Sequence, residues 1–276
     1  MSPETLTTAL NYSIEHARSL FEGKAIVAIT GAGISTDSGI PDYRGAGRVA
    51  RHPLTFDAFM GSAENQARYW ARSFVGWNRI VIAQPNLGHL ALSKAETSGR
   101  LRTLITQNVD GLHQKAGSKS VLELHGKLSQ VICTGCGDIL SRDELDSRIS
   151  KLNPDLVRSD DVEFTPDGDA EVEVGKNFRV PSCGICSKHY KPDVVFFGEQ
   201  VPKSRVEAAE SAIAEAEGLL VAGTSLTVNS GLRLVKLAHK RQIPIVIVNQ
   251  GETKGDNLAS VKLSASTSDI LGALLR

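Results

Sequence analysis

The stretch KAIVAITGAGISTDSGIPDYRG, residues 24–45, decides the fold of this chain. Residues 24–30 are a short run of apolar and β-branched side chains, which reads as a buried parallel strand. The run passes directly into Gly31-Ala32-Gly33. Glycine carries no Cβ, so the backbone can turn tightly there and lie close to a ligand. Residues 34–38, beginning with Ile34, are then expected to open a helix whose first amides face a pyrophosphate. The fingerprint of a hydride-transfer enzyme is incomplete. Thr36 stands where G-x-G-x-x-G has its third glycine, and no acid closes a second strand about 20 residues on. Asp42, Tyr43 and Arg44 follow instead: an acid, an aromatic ring and a guanidinium beside the loop. A bare G-A-G after a strand is as often an ordinary turn. The polar, glycine-rich continuation favours a dinucleotide loop used for something other than hydride transfer.

Outward from this loop, strands and helices alternate. Ser2 and Pro3 read as the cap and first position of a helix, with Leu6, Leu10, Ile14, Ala17 and Phe21 at helical spacing. Residues 45–51 form a loop with Gly and Arg, expected to move when ligand arrives. Residues 56–82 read as helical, with breaks expected near Gly61 and Gly76. Residues 87–97 read as a helix and 101–106 as a second buried strand. Gln107, Asn108, Val109 and Asp110 lie at its carboxyl end, where open α/β sheets bind ligands. A short strand over 121–124 leads to His125-Gly126. After a helix over 203–217, a strand over 219–222 ends in Gly223, Thr224 and Ser225. A helix over 230–241 and a strand over 243–248, ending in Asn249, Gln250 and Gly251, complete another βαβ unit. The fold class is α/β: a doubly wound, parallel, Rossmann-like sheet with an inserted small zinc-binding and helical domain. The large domain is expected from residues 1–45, 84–126 and 191–276, the small one from 46–83 and 127–190.

The insertion is marked by its cysteines. All four fall in C-x-x-C pairs, Cys133 with Cys136 and, 46 residues later, Cys183 with Cys186. Two such knuckles point to tetrahedral zinc. A disulfide pairing is disfavoured in a reducing compartment, and thioredoxin-like chemistry needs only one C-x-x-C. Four thiolates close the coordination sphere, so the zinc is structural and the chemistry lies elsewhere. His189 is either an alternative ligand or a surface histidine. Between the pairs, Ser141-x-x-Glu144 reads as a capping box. Residues 155–173, with eight acids and one base, read as a solvated loop whose order does not follow a calcium-binding EF-hand.

Composition excludes several classes. With 31 basic and 31 acidic residues there is no basic excess to neutralise nucleic-acid phosphates. No apolar run approaches the length of a membrane span. The opening Met-Ser-Pro-Glu lacks a basic and an apolar region, so no secretory signal is expected and the location is expected to be cytoplasmic. Seven histidines compete as a general base. His16 and His239 sit in helix patterns facing solvent, His52 is in a loop, and His89 and His113 fit structural roles near element ends. His125 is the candidate, because it lies between a strand end and Gly126, close in topology to residues 107–110.

The motif GAGISTDSGIPDYRG resembles the cofactor-loop signature of the sirtuins, NAD-dependent protein-lysine deacylases. TQNVDGLH (106–113), ELHG (123–126), KPDVVFFGE (191–199) and GTSL (223–226) extend the resemblance over nearly the whole chain. Tyr43, where Phe is commoner, is similar to the branch with the mitochondrial class II sirtuins. The resemblance implies that Gly31, Ala32, Gly33, Thr224 and Ser225 cradle the pyrophosphate of NAD. It implies that Asn249 meets the adenosine ribose and that Thr267 lies near the adenine. Gln107, Asn108 and Asp110 would line the nicotinamide and its ribose, Asp42, Tyr43 and Arg44 would close over them, and His125 would activate a ribose hydroxyl. An acyl-lysine protein or peptide would add as a strand between Val194, Val195, Phe196, Phe197, Gly198, Glu199 and the segment holding Val228 and Asn229. Asn229-Ser230 replaces the Pro-Ala common after GTSLxV, which leans towards longer or unusual acyl groups. Tyr69 and Arg72, three apart on a helix, are either a reader of an acyl carboxylate, as in one sirtuin branch, or a packed ring beside a solvated arginine. Mono-ADP-ribosyl transfer to protein, and a non-catalytic zinc-ribbon module that only binds NAD, are the alternatives.

Overall fold

The computed structural model describes residues 3–43, 54–156, 165, 169–170 and 177–276. Arg44, the 45–51 loop, His52 and most of the acidic 155–173 segment lie outside the described residues. The central strand β1, Ile26–Thr30, is buried at all five positions. A strand so apolar must be covered on both faces, and this is what a parallel sheet between helices provides. β1 lies between β2, Leu101–Thr106, and β7, Gly218–Ala222, both parallel to it. Adding β3 (Val121–Glu123), β8 (Ile245–Val248) and β9 (Val261–Leu263) gives a six-stranded sheet in the order β3-β2-β1-β7-β8-β9.

Alternation along the strands divides the core. Ile26 and Ala28 pack with Leu220 and Val246 beneath helices α1 (Pro3–Phe21), α4 (Leu87–Thr97) and α9 (Thr267–Leu274). Val27 and Ile29 point the other way, with Leu219, Val221 and Ile247, beneath α7 (Lys203–Glu215) and α8 (Asn229–Lys240). Because Thr30 is in register with both Thr106 and Ala222, the loops after β1, β2 and β7 leave the sheet at one level.

A second, antiparallel sheet has the order β5-β4-β6, from β4 (Gly126–Cys133), β5 (Ile139–Ser141) and β6 (Tyr190–Val194). It packs with α2 (Phe56–Gly61), α3 (Ala63–Ile82) and α6 (Arg142–Leu152). Ser141 caps α6 by accepting from the Glu144 amide at 3.1 Å. Arg142 is only 1% exposed. Its guanidinium lies 4.9 Å from the Trp77 ring and 5.4 Å from that of Trp70, and donates to Asp146 at 2.7 Å and Ser73 at 3.0 Å. Stacking on indole and pairing with a carboxylate are what make a buried guanidinium tolerable.

Two expectations are corrected. Residues 34–38 do not open an α-helix but make two 3₁₀ turns, Ala32–Ile34 and Thr36–Ser38. The Ile34 carbonyl, which an α-helix would pair with the residue 38 amide, accepts instead from Asn86 Nδ2 at 2.7 Å. The Ser38 amide turns to Ser35 O, and Gly39 ends the turn at a φ of 82°. Gly76 does not break its helix: α3 runs through it, and packing covers the position. A glycine there costs about 1 kcal/mol of propensity, too little to break a buried helix. Among the described residues, no helix is long and apolar enough to cross a membrane.

Arg142→Ala removes the cation that pairs with the buried Asp146 and opens a cavity between two indoles, and is expected to destabilise the fold by about 3–5 kcal/mol. Urea unfolding followed by tryptophan fluorescence measures this, and a loss below about 1 kcal/mol would contradict it.

Candidate functional site

Three loops meet at the carboxyl ends of β1, β2 and β7. The first and third cross at van der Waals distance. The Gly33 amide donates to Gly223 O at 2.8 Å, and a Cβ on Gly33 would lie 2.9 Å from that oxygen. A Cβ on Gly31 would sit 2.7 Å from Thr224 Cβ. Gly223 has a φ of +63°, and its Cβ would be 2.3 Å from the Ile34 nitrogen. The crossing therefore requires bare backbone on both strands of the cradle. Gly31 and Gly223 are buried in this crossing, and a phosphate would lie against the half-buried Ala32, Gly33 and Ser225 beside it. The second loop is tied to both others. Gln107 Nε2 donates to Thr224 Oγ1 at 3.0 Å and, at 3.4 Å, to Thr30 O. The Ser225 and Thr227 hydroxyls share a hydrogen bond of 3.0 Å.

Ser35 is wholly buried and joins the first loop to the second. Its hydroxyl donates to Asp110 Oδ2 at 2.7 Å and accepts from Asn108 Nδ2 at 3.0 Å. The other Asp110 oxygen accepts from the Leu112 amide at 2.9 Å. Burial pushes the Asp110 carboxyl above its usual value, and these donors oppose the shift. Val109 packs on Leu112 and Leu128. Beneath the loops, His113 Nε2 meets Thr30 Oγ1 at 2.9 Å, and its ring lies 4.8 Å from that of His89. Burial holds His113 well below its ordinary value, with His89 adding to the shift, and lowers His89 to about 4. Two neutral, internal imidazoles support the floor of the site.

His125 stands where the two sheets join. Its Nδ1 is 3.0 Å from Gln107 O and its Nε2 is 2.8 Å from Ser230 Oγ. Burial lowers its pKa; the Gln107 carbonyl opposes that and Arg205 on α7 adds to it. Gly126 turns the chain at a φ of +83°, where a Cβ would meet Asp193 O at 2.0 Å. The His125 carbonyl accepts from the Val195 amide at 2.9 Å, so the 194–199 segment begins beside it. In that segment Val194 and Phe196 are buried, and Phe196 stacks on Phe59 at 5.1 Å. Glu199 accepts from the Phe196 amide at 3.0 Å and from Lys191 at 3.2 Å, which fixes the turn through Gly198. Phe197 is partly exposed, and the Tyr43 ring meets its edge at 5.8 Å. Val228, extended, precedes α8, and Asn229 is exposed.

The sequence and structure comparisons agree with this geometry. A Sir2 family profile matches residues 31–230. The NAD-dependent protein deacetylase 1 of Mycobacterium avium is 48% identical over 256 residues, covering 91% of each chain. The chain belongs to the Sir2 family. Bovine mitochondrial sirtuin-4, named an NAD-dependent protein lipoamidase, is 45% identical, covering 90% of this chain and 81% of that one. A Sir2 complex with a peptide and NAD+ superposes with a TM-score of 0.76 at 31% identity, covering 94% of this chain and 95% of that one. A Sir2 enzyme with a propionylated peptide gives 0.74 at 30% identity, covering the same shares.

In this Sir2 chain the other expected residues lie around the same mouth or further out. Asn249 follows β8 and donates to Gly251 O at 2.9 Å, while Gln250 is exposed. Thr267 is buried at the start of α9, against Gly88. Asp42 is half-buried before Tyr43. Tyr69 is buried between Phe59, Trp70 and Phe196, and Arg72 Nε donates to Ala170 O at 2.8 Å. The arginine thus holds backbone rather than standing in solvent. Ser35, Asn86 and Ser230 are site residues that the sequence does not mark, because a lone hydroxyl or amide shows no spacing that ties it to partners far along the chain.

The four Sγ atoms of Cys133, Cys136, Cys183 and Cys186 lie within 4.8 Å of one another, and none is in a disulfide. Amides of Gly135 and Ile185 point at Cys133 and Cys183 sulfur at 3.4 Å each. The donor set suits one tetrahedral, thiolate-ligated ion. The exposed His189 is outside the cluster. Strand β4 separates the cysteines from His125 by eight residues, about 25 Å of chain.

Cys133→Ser is expected to give insoluble or unfolded protein, with metal content by mass spectrometry below one ion per chain. A folded, active, metal-free variant would contradict it. Gly223→Ala is expected to abolish NAD+ binding by calorimetry, because its Cβ forces the crossing loops apart; unchanged affinity would refute the cradle.

Proposed function

We infer that this chain is an NAD-dependent protein-lysine deacylase that transfers the acyl group to ADP-ribose and releases nicotinamide. The observation that carries the reading is His125, held at Nδ1 by the backbone carbonyl of Gln107 in the second loop, with Nε2 at Ser230 where the third loop enters α8. A carbonyl only accepts, so Nδ1 carries the proton and Nε2 is the basic nitrogen. Gly31, Ala32, Gly33, Thr224 and Ser225 hold the pyrophosphate; Asn249, Gln250, Gly251 and Thr267 hold the adenosine end. Gln107, Asn108 and Asp110 position the nicotinamide ribose, with Asp110 fixed through Ser35. Tyr43 covers the reacting centre and excludes water. Bound NAD+ supplies an electrophilic C1′ as nicotinamide leaves, towards the acyl carbonyl oxygen. His125 takes a proton from a ribose hydroxyl at Nε2 and later returns it. The balance is acyl-lysine, NAD+ and water in, and lysine, nicotinamide and O-acyl-ADP-ribose out.

The cysteine cluster is read as structural Zn2+, since four thiolates leave no position for substrate. The location is read as cytoplasmic, a reducing compartment in which such thiols stay available to the metal. The substrate is an acyl-lysine segment of protein, entering between the 194–199 segment and Val228-Asn229. Acyl groups longer than acetyl are favoured by Asn229-Ser230 and by the lipoamidase name of the bovine relative.

Incubation with NAD+ and acetyl-, succinyl-, glutaryl-, lipoyl- and long-chain acyl-lysine peptides tests the reading by mass spectrometry. Acyl loss matched by nicotinamide release is expected, and His125→Ala should lower kcat by about 10²–10⁴-fold. NAD+ left intact with every peptide would overturn it. The base works only when neutral, and burial lowers its pKa. The acid limb of kcat/KM is therefore expected below about pH 6.5.

A further inference from the structure

The first turn of α8 has an unusual start. Its N-cap is Val228, which offers no side-chain hydrogen bond. Ser230, two residues on, is a residue type that commonly caps helices. Its hydroxyl instead crosses to His125 Nε2 at 2.8 Å. The next residue, Gly231, lies against the Gln107 side chain, where a Cβ would be 3.0 Å from Oε1. Gln107 is also the residue whose carbonyl holds Nδ1. Both ring nitrogens are thus set by groups that converge on one helical turn.

The chemistry fixes the direction of these bonds. With Nδ1–H donated to a carbonyl, the neutral ring has one lone pair, at Nε2. The Ser230 hydroxyl therefore donates to it. Without that donor, Nε2 would be a recessed acceptor with no partner among the described residues, and a recessed polar atom left unpaired is costly. Among the described residues, the charged groups nearby are Arg205 on α7, which acts on His125 and Glu123, and Asp193 on β6, which pairs with Arg205 at 3.1 Å. None of them bonds the ring, so the hydroxyl is the group that orients Nε2.

We propose that Ser230 is a positioning residue for His125: it holds the imidazole in the Nδ1–H form with the Nε2 lone pair facing the cleft, and gives up that place to the substrate hydroxyl. The proposal rests on the reading of His125 as the base. It assigns a function to a residue at which this chain departs from the Pro-Ala pattern.

The test uses the full chain with ¹⁵N-labelled histidine. His125→Ala identifies the His125 resonances. In the parent enzyme the expected signature is a protonated Nδ1 and a hydrogen-bonded, unprotonated Nε2. In Ser230→Ala the Nε2 resonance should move to the position of a free acceptor. The variant's kcat/KM for NAD+, with the best acyl-lysine peptide, should fall about three- to tenfold, the effect of one hydrogen bond. Ser230→Thr, which keeps the hydroxyl, should restore both. An Nε2 resonance or a kcat/KM unchanged in Ser230→Ala overturns the proposal, as does a threonine variant as impaired as alanine. Full activity in His125→Ala would instead remove the base assignment beneath it, while the resonances would still report the hydrogen bond.

Discussion

The contact on which the structure depends is the crossing of two backbones at the ends of β1 and β7. Two peptide chains can lie this close only if neither carries a side chain at the crossing, and Gly31, Gly33 and Gly223 meet that demand. The hydrogen bond from Gly33 to Gly223 then locks the loops into one surface. Once Thr224 is placed by this crossing, its hydroxyl reaches Gln107, and Gln107 in turn reaches His125 through its carbonyl. Steric exclusion at one point thereby sets the position of a proton acceptor two loops away.

The second sheet contributes by a different means. Its interior is aromatic, and a guanidinium rather than an aliphatic side chain fills the space between two indoles. Phe196 is drawn into this interior while its neighbours Val195 and Phe197 remain at the cleft. A strand-like segment with alternate residues buried is a natural edge for a peptide to pair with. Gly126 is the point at which the chain passes from one sheet to the other, and only its left-handed backbone brings β4 against Asp193.

The large sheet was legible because buried parallel strands leave uninterrupted β-branched runs, and residues 101–106 and 87–97 were bounded as found. The loops were legible as glycine and polar clusters at strand ends. What could not be read depends on partners distant in sequence. Residues 34–38 have the composition of a helix start, and Asn86, some fifty residues away, takes the carbonyl that a helix would need. Strand β4 was missed because its pairing shifts register near Lys127, which spoils a simple alternation. Arg142 carries no mark in the sequence that it is buried, since the two tryptophans over which it lies come from α3, far along the chain. Ser230 was noticed only as a departure from a pattern, and its direction towards His125 is a matter of three dimensions.

The cysteine cluster has a consequence for how such chains can diverge. Its two halves bracket 46 residues, and their sulfurs meet at the outer end of the small sheet. Closing the ends of this segment fixes its span, while Arg142, Leu145 and Ile149 within it pack into the small-domain core. Doubling its length would raise the closure entropy by only about 0.6 kcal/mol. Added length between the knuckles is therefore cheap where it leaves β5, α6 and the Arg142–Asp146 pair in place, so lineages can lengthen this stretch without moving the dinucleotide cradle.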